Sequence, residues 1–163
     1  MQIMQTAKRI QVLSKHTANQ IAAGEVVERP ASIVKELVEN SIDAGSTAIT
    51  IEINGGGIDY IKITDNGSGI LSEDVPTAFL RHATSKISSA DDLGHISTLG
   101  FRGEALAAIS SVSKIDLLTR AQGAENGVRL HLEAGQVLSE EPAGCPYGTT
   151  ILVRELFYNT PAR

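Results

Sequence analysis

The chain has 163 residues, a formal net charge of −5 and 42% hydrophobic residues, with no Trp, three Phe and three Tyr. That length fits one domain that buries about two-thirds of its unfolded surface around an aliphatic core. The acidic balance leaves no electrostatic footprint for nucleic acid on this segment, and a single cysteine, Cys145, excludes an internal disulfide and a cysteine-rich zinc site.

Residues 1–16 are mixed in character and read as an extended arm, and residues 17–27 carry a short helical pattern. A stronger helix opens at Glu28-Arg29-Pro30. Pro30 suits a first turn, Gly45 suits the position past the last, and Val34, Leu37, Val38, Ser41 and Ile42 make one stripe. Glu36, Asn40 and Asp43 lie at i, i+4 and i+7, within about 60° of one another at about 3.6 residues per turn, and opposite that stripe. Such a face is either plainly solvated or a site. Asn is a poor residue in mid-helix and a good oxygen ligand, and if the face is a site, Glu36 could hold a water and Asn40 a magnesium ion.

Residues 48–54 alternate isoleucines as a strand does, and Gly55-Gly56-Gly57 turns them into a second strand over 58–64, giving a hairpin. Ile61, Ile63 and Asp65 share the face that should be buried. A buried carboxylate without a partner costs several kcal/mol, so Asp65 needs a donor. In Asp65-Asn66-Gly67-Ser68-Gly69-Ile70 that donor is either a ligand amino group, approaching past Gly67 and Gly69, or the backbone of an Asp-Asn-Gly turn.

Residues 72–80 read as a helix with Ser72 as cap and Pro76 in its first turn. Arg81-His82-Ala83-Thr84-Ser85-Lys86 is small, polar and cationic, as a phosphate-covering loop or an ordinary solvated one would be. Gly100-Phe101-Arg102-Gly103 precedes a helix beginning near Gly103; it either aims N–H groups and the Arg102 charge at an anion or forms a turn and cap. Residues 113–120, 127–133 and 149–155 read as strands, and Gly148-Thr149-Thr150 places hydroxyls at the start of the last. Helices ahead of strands imply an α+β fold with helices on one face of a mixed sheet. Neither a P-loop nor a dinucleotide fingerprint occurs. The four histidines lack metal-ligand spacing, no apolar run nears the ~20 residues of a membrane span, and Lys8-Arg9 is followed by no signal-like stretch. A cytoplasmic setting is expected.

The order of these motifs resembles the GHKL ATPases: a helix with Glu-x-x-x-Asn, a strand ending Asp-x-Gly-x-Gly, a glycine-led helix, a late Gly-Thr-Thr. The local wording resembles the MutL mismatch-repair family in particular. It is carried by Asn19-Gln-Ile-Ala-Ala-Gly-Glu-Val-Val-Glu-Arg-Pro30, Lys35-Glu-Leu-Val-Glu-Asn-Ser-Ile-Asp-Ala44, Arg81-His-Ala-Thr-Ser-Lys86, Gly100-Phe-Arg-Gly-Glu-Ala-Leu106 and Leu156-Phe-Tyr-Asn-Thr-Pro-Ala-Arg163. The resemblance implies an arm over 1–16 and an ATP-binding domain over 17–163 with the two-layer α/β sandwich called the Bergerat fold. It implies a magnesium-dependent ATPase in which Glu36 is the general base, Asn40 the magnesium ligand and Asp65 the acceptor for the adenine amino group. Gly67 and Gly69 would admit the base, Thr149 or Thr150 would hold the adenine side through water, and Thr84, Ser85, Lys86 and Gly100, Phe101, Arg102 and Gly103 would form the lid and its phosphate contacts. The partners implied are ATP, DNA and a MutS-type mismatch-recognition protein for the full-length protein, with homodimerisation on ATP binding and no membrane. Relatives of this kind continue into a second domain that supplies a Lys to the γ-phosphate and then a dimerisation domain, so these residues alone are expected to hydrolyse ATP very weakly. A module that senses nucleotide without hydrolysis, or another GHKL ATPase, is the competing reading.

Overall fold

A computed structural model describes residues 29–79 and 105–160, together with Ile10 and Val12. The first helix, α1, is Pro30–Asp43. Pro30 enters with φ already suited to a helix, and Gly45 leaves it at φ +76, where a side chain would be strained. Ile33, Leu37 and Ser41 form the buried line of α1, with Val34 and Val38 partly buried beside it. Ile42, expected in that stripe, is 60% exposed. The buried line follows an i, i+4, i+8 row, and Ile42 falls about 140° from its centre at about 100° per residue. By the same geometry Glu36 and Asn40 flank the buried line rather than oppose it.

Strands β1 (Ile49–Asn54) and β2 (Tyr60–Asp65) form the expected hairpin, antiparallel, with Ile51 opposite Ile63 and Ile53 opposite Ile61. A 3-10 turn over Gly55–Gly57 joins them. Gly57 has φ +94, and a Cβ there would stand 2.6 Å from the Pro30 ring, so the turn packs directly on the start of α1. Ile61 and Ile63 are buried, as the period of two required.

The segment 72–80 differs from its reading as a helix. It holds two 3-10 turns, Ser72–Asp74 and Thr77–Phe79. Pro76 separates them, since it has no N–H to donate and its ring crowds the turn before it. Val75 and Phe79 are buried and pin this segment to the core. Helix α2 (Ala105–Ser111) follows, with Ala, Ile and Ser buried together. Its serines satisfy themselves locally: Ser110 donates to the Ala107 carbonyl at 2.8 Å and Ser111 to the Ala108 carbonyl at 2.7 Å.

The remaining strands are β3 (Lys114–Arg120), β4 (Gly127–Glu133), β5 (Gln136–Ala143) and β6 (Gly148–Arg154). The sheet order is β1-β2-β6-β3-β4-β5, and each of its five pairings is antiparallel. The expected mixed sheet is thus an antiparallel one. Strands β2 and β3 do run parallel, as a crossover through α2 demands, but β6 lies between them and is antiparallel to both. Strand β5 carries no hydrophobic alternation and is exposed nearly throughout, which is why its sequence gave no strand signal. Pro142 and two glutamates suit it to an open edge.

Helices and the inner sheet face enclose one aliphatic core, in which Ile33, Leu37, Ile61, Ile109, Ile115, Leu117, Leu130 and Leu132 are almost wholly buried. Each such side chain contributes about 1.5–3 kcal/mol by leaving water. The outer sheet face is polar, with Asp116 accepting from Arg154 at 2.7 Å and lying 2.8 Å from the His131 ring. Among the described residues no helix is long and apolar enough to cross a membrane.

Candidate functional site

The end of β2 meets the second half of α1, the end of β3 and the start of β6. Asp65 stands at this junction, half-buried and opposite Thr149 of β6. Its Oδ1 accepts from the Gly67 N–H at 2.9 Å and the Thr149 N–H at 3.2 Å, and its Oδ2 accepts from the Ser41 hydroxyl at 2.7 Å. The turn-cap reading of Asp65 holds, since it accepts from the Gly67 N–H of its own turn, and it is also gripped by two distant elements. A carboxylate offers about four acceptor positions. Among the described residues three are taken, and the fourth is open to a further donor.

The loop after Asp65 is tied on every side. Asn66 accepts from the N–H groups of Thr47 and Ala48 at 2.9 and 3.0 Å. Ser68 donates its N–H to the Ala44 carbonyl at 2.9 Å and accepts from the Gln122 N–H at 3.0 Å. The room saved by the two glycines is filled with protein. A Cβ on Gly67 would stand 2.7 Å from Ser46 Oγ and 2.8 Å from the Ala44 methyl, and one on Gly69, at φ +71, would stand 2.1 Å from the Arg120 carbonyl oxygen. The glycines let the loop close onto α1 and β3 and so aim the Asp65 carboxylate.

Glu36 and Asn40 stand one turn apart on α1, both half-buried, and Asn40 immediately precedes the Ser41 that holds Asp65. Asp43 is exposed. The donors of this flank are all oxygen, and among the described residues no His, Cys, Asp and Glu cluster could hold a metal by itself. That chemistry fits a hard cation held by one protein oxygen and by ligand phosphates.

The two late threonines separate. Alternation along β6 puts Thr149 on the Asp65 face, beside buried Ile151 and Val153, and Thr150 on the opposite face, level with Thr64 and Leu118. Only Thr149 of the pair is turned to the junction. Thr84, Ser85, Lys86, Gly100, Phe101, Arg102 and Gly103 lie outside the described residues.

Two residues of this junction escaped the sequence. Ser41 looked like one more member of a helix stripe, and Thr119 lay unremarked within the strand read over 113–120. Thr119 is 1% exposed. Its hydroxyl contacts the Ile70 N–H at 3.0 Å, the Gly148 carbonyl at 2.9 Å and the Thr149 hydroxyl at 2.9 Å. Buried hydroxyls on otherwise apolar faces were the available signal, because each demands a partner.

A family model described as histidine kinase-, DNA gyrase B- and HSP90-like ATPase matches residues 28–143. The DNA mismatch repair protein MutL of Acidobacterium capsulatum is 58% identical over 155 residues, covering 95% of this chain and 23% of that protein. The MutL of Methanothrix thermoacetophila is 59% identical over 156 residues, covering 95% of this chain and 28% of that protein. The chain thus spans about a quarter of the length of these curated relatives. Among solved structures, the N-terminal domain of a DNA repair protein superposes with a TM-score of 0.75 at 34% identity, over 90% of this chain and 41% of that one. The Aquifex aeolicus MutL ATPase domain complexed with ADP gives 0.67 at 37% identity, over 84% of this chain and 46% of that one. The match of sequence and of sheet places this chain in the family of histidine kinase-, DNA gyrase B- and HSP90-like ATPases, in its MutL branch.

Proposed function

We propose that this chain binds ATP at the junction of α1, the 65–70 loop and the start of β6, hydrolyses it with magnesium, and serves as the ATP switch of a MutL-type mismatch-repair protein. The observation that carries the reading is the state of Asp65. Three protein donors fix its carboxylate, and the remaining acceptor position suits the amino group of adenine. The adenine-side hydroxyl is that of Thr149.

Glu36, one turn before Asn40, takes the proton of the water that attacks the γ-phosphate, a role worth about 10²–10⁴ in rate. Asn40 would hold magnesium through its carbonyl oxygen, and the bound cation would offset the charge of the phosphates. We assign Thr84, Ser85 and Lys86, with Gly100, Phe101, Arg102 and Gly103, to the lid and phosphate contacts, a reading supported by their resemblance to the family motifs. In the full-length protein the cycle of binding and hydrolysis would drive homodimerisation and couple a MutS-type partner and DNA to strand removal in the cytoplasm.

Titration with ATP and magnesium, followed by both binding and phosphate release, tests this reading. Binding with slow release is expected. Absence of any ATP binding refutes the site, and binding without any release in a chain extended through its next domain favours the sensing module.

A further inference from the structure

The hydroxyl of Thr119 is a three-way contact, and its protons can be assigned. A threonine hydroxyl has one proton to give and two lone pairs. The Gly148 carbonyl can only accept, so Thr119 donates to it across 2.9 Å. The Ile70 N–H can only donate, and takes one lone pair of Thr119 at 3.0 Å. The contact between Thr119 Oγ1 and Thr149 Oγ1 at 2.9 Å is then attractive in one direction only, with Thr149 donating. Reversing it would set Thr119 and the Gly148 carbonyl oxygen lone pair against lone pair.

Thr149 has therefore spent its only proton inward, away from the ligand side, and presents lone pairs alone. Its neighbour Asp65, which has none to give, is likewise an acceptor. We infer that Thr119, though buried behind the site, is the positioning residue that makes the base pocket acceptor-only and so selects a nucleobase carrying an exocyclic amino group over one carrying a carbonyl there. The inference rests on the ATP-binding reading above and concerns its specificity. Asp65 contributes to the discrimination directly; Thr119 contributes through Thr149.

The test compares ATP with ITP, whose base bears a carbonyl oxygen in place of the amino group, by direct titration of the wild-type chain and of Thr119→Val, Thr119→Ala and Thr119→Ser. In Thr119→Val the Thr149 hydroxyl is free to turn outward as a donor. The ATP-over-ITP preference should fall by about fivefold or more, the range of one mispaired hydrogen bond. Thr119→Ser keeps the hydroxyl and should keep the preference, which a loss of packing alone would not restore. Thr119→Ala leaves room for a water, whose two protons no longer fix the direction of Thr149, and it answers the question if the valine variant does not fold. A wild-type chain that binds ATP and ITP alike overturns the base-pocket reading itself. A wild-type preference that survives in both Thr119→Val and Thr119→Ala, or one that Thr119→Ser fails to keep, overturns the role of Thr119 and leaves the pocket standing.

Discussion

Replacing Asp65 by Asn separates what this residue does for the fold from what it does for a ligand. The asparagine keeps one oxygen, and that oxygen can go on accepting from the Gly67 and Thr149 N–H groups, now at 2.9 and 3.2 Å. Its amide nitrogen then faces Ser41. The Ser41 hydroxyl, which donates in the native chain at 2.7 Å, can turn round and accept instead. The protein contacts all survive in kind, so unfolding should shift by no more than about 1 kcal/mol. The outward position changes sign. Where the carboxylate offered a lone pair, the amide offers a second N–H, which opposes the amino group of adenine. A mispaired polar group of this sort costs about 1–3 kcal/mol, a loss of about 5- to 150-fold in affinity. Isothermal titration with ATP beside a thermal melt measures both quantities. A variant that melts like the wild type and binds ATP equally well refutes the assignment of Asp65; one that loses binding only because it has unfolded would show as a collapsed melt.

Glu36→Gln should bind ATP and release phosphate at least about tenfold more slowly in a turnover-competent chain, since a general base contributes about 10²–10⁴; equal phosphate release removes Glu36 from that role. Asn40→Ala should lose the dependence of ATP binding on magnesium, read as the ratio of affinities with and without the metal, and an unchanged ratio sinks the ligand assignment. Alkaline pH should destabilise the fold. Lys114 holds its proton above the ordinary 10.5, chiefly through its hydrogen bond to Glu155, and burial raises Tyr158 above 10.0. Both groups bind a proton more tightly folded than unfolded, so their contribution is complete below about pH 10 and is lost as pH climbs beyond it. Melting curves taken across that range for the wild type and for Lys114→Met with Tyr158→Phe check this, the double variant being expected to show the shallower fall.

Much of the site was legible because its residues obey local rules. Pro30 and Gly45 bracket a helix by their backbone preferences alone, and the alternation of Ile61 and Ile63 was enough to turn Asp65 inward. What stayed hidden depended on pairing across distance. The choice between Thr149 and Thr150 turns on strand register, which a Gly-Thr-Thr run does not encode. Ser41 and Thr119 are ordinary in their own segments and gain their contacts only when α1, the 65–70 loop, β3 and β6 converge. Strand β5 is held by its neighbour β4 and not by a hydrophobic face, so no periodicity announced it. The segment 72–80 was misread because Pro76 was placed in a first turn, whereas its missing N–H divides the segment in two.

The placement of β6 between β2 and β3 has a consequence for how the chain comes to be folded. The bond from the Thr149 N–H to Asp65 closes a span of 84 residues. At about 5–20 residues per second of synthesis, β2 waits roughly 4–17 s for the strand that will pair with it. The β2 edge stays open throughout that interval, and the facing edge of β3 joins it once Lys114–Arg120 is made, each a row of N–H and C=O groups free to pair with the wrong strand or with another chain. The hairpin β1–β2 and the meander β3–β4–β5 can each form locally, but neither contains both walls of the junction. Only when Gly148–Arg154 slides between them do Asp65, Thr119 and Thr149 come within reach of one another. In this protein the Asp65 junction is therefore the closing seam of the sheet, and substitutions along β6 should surface first as nascent chains that aggregate, before any defect in chemistry can be measured.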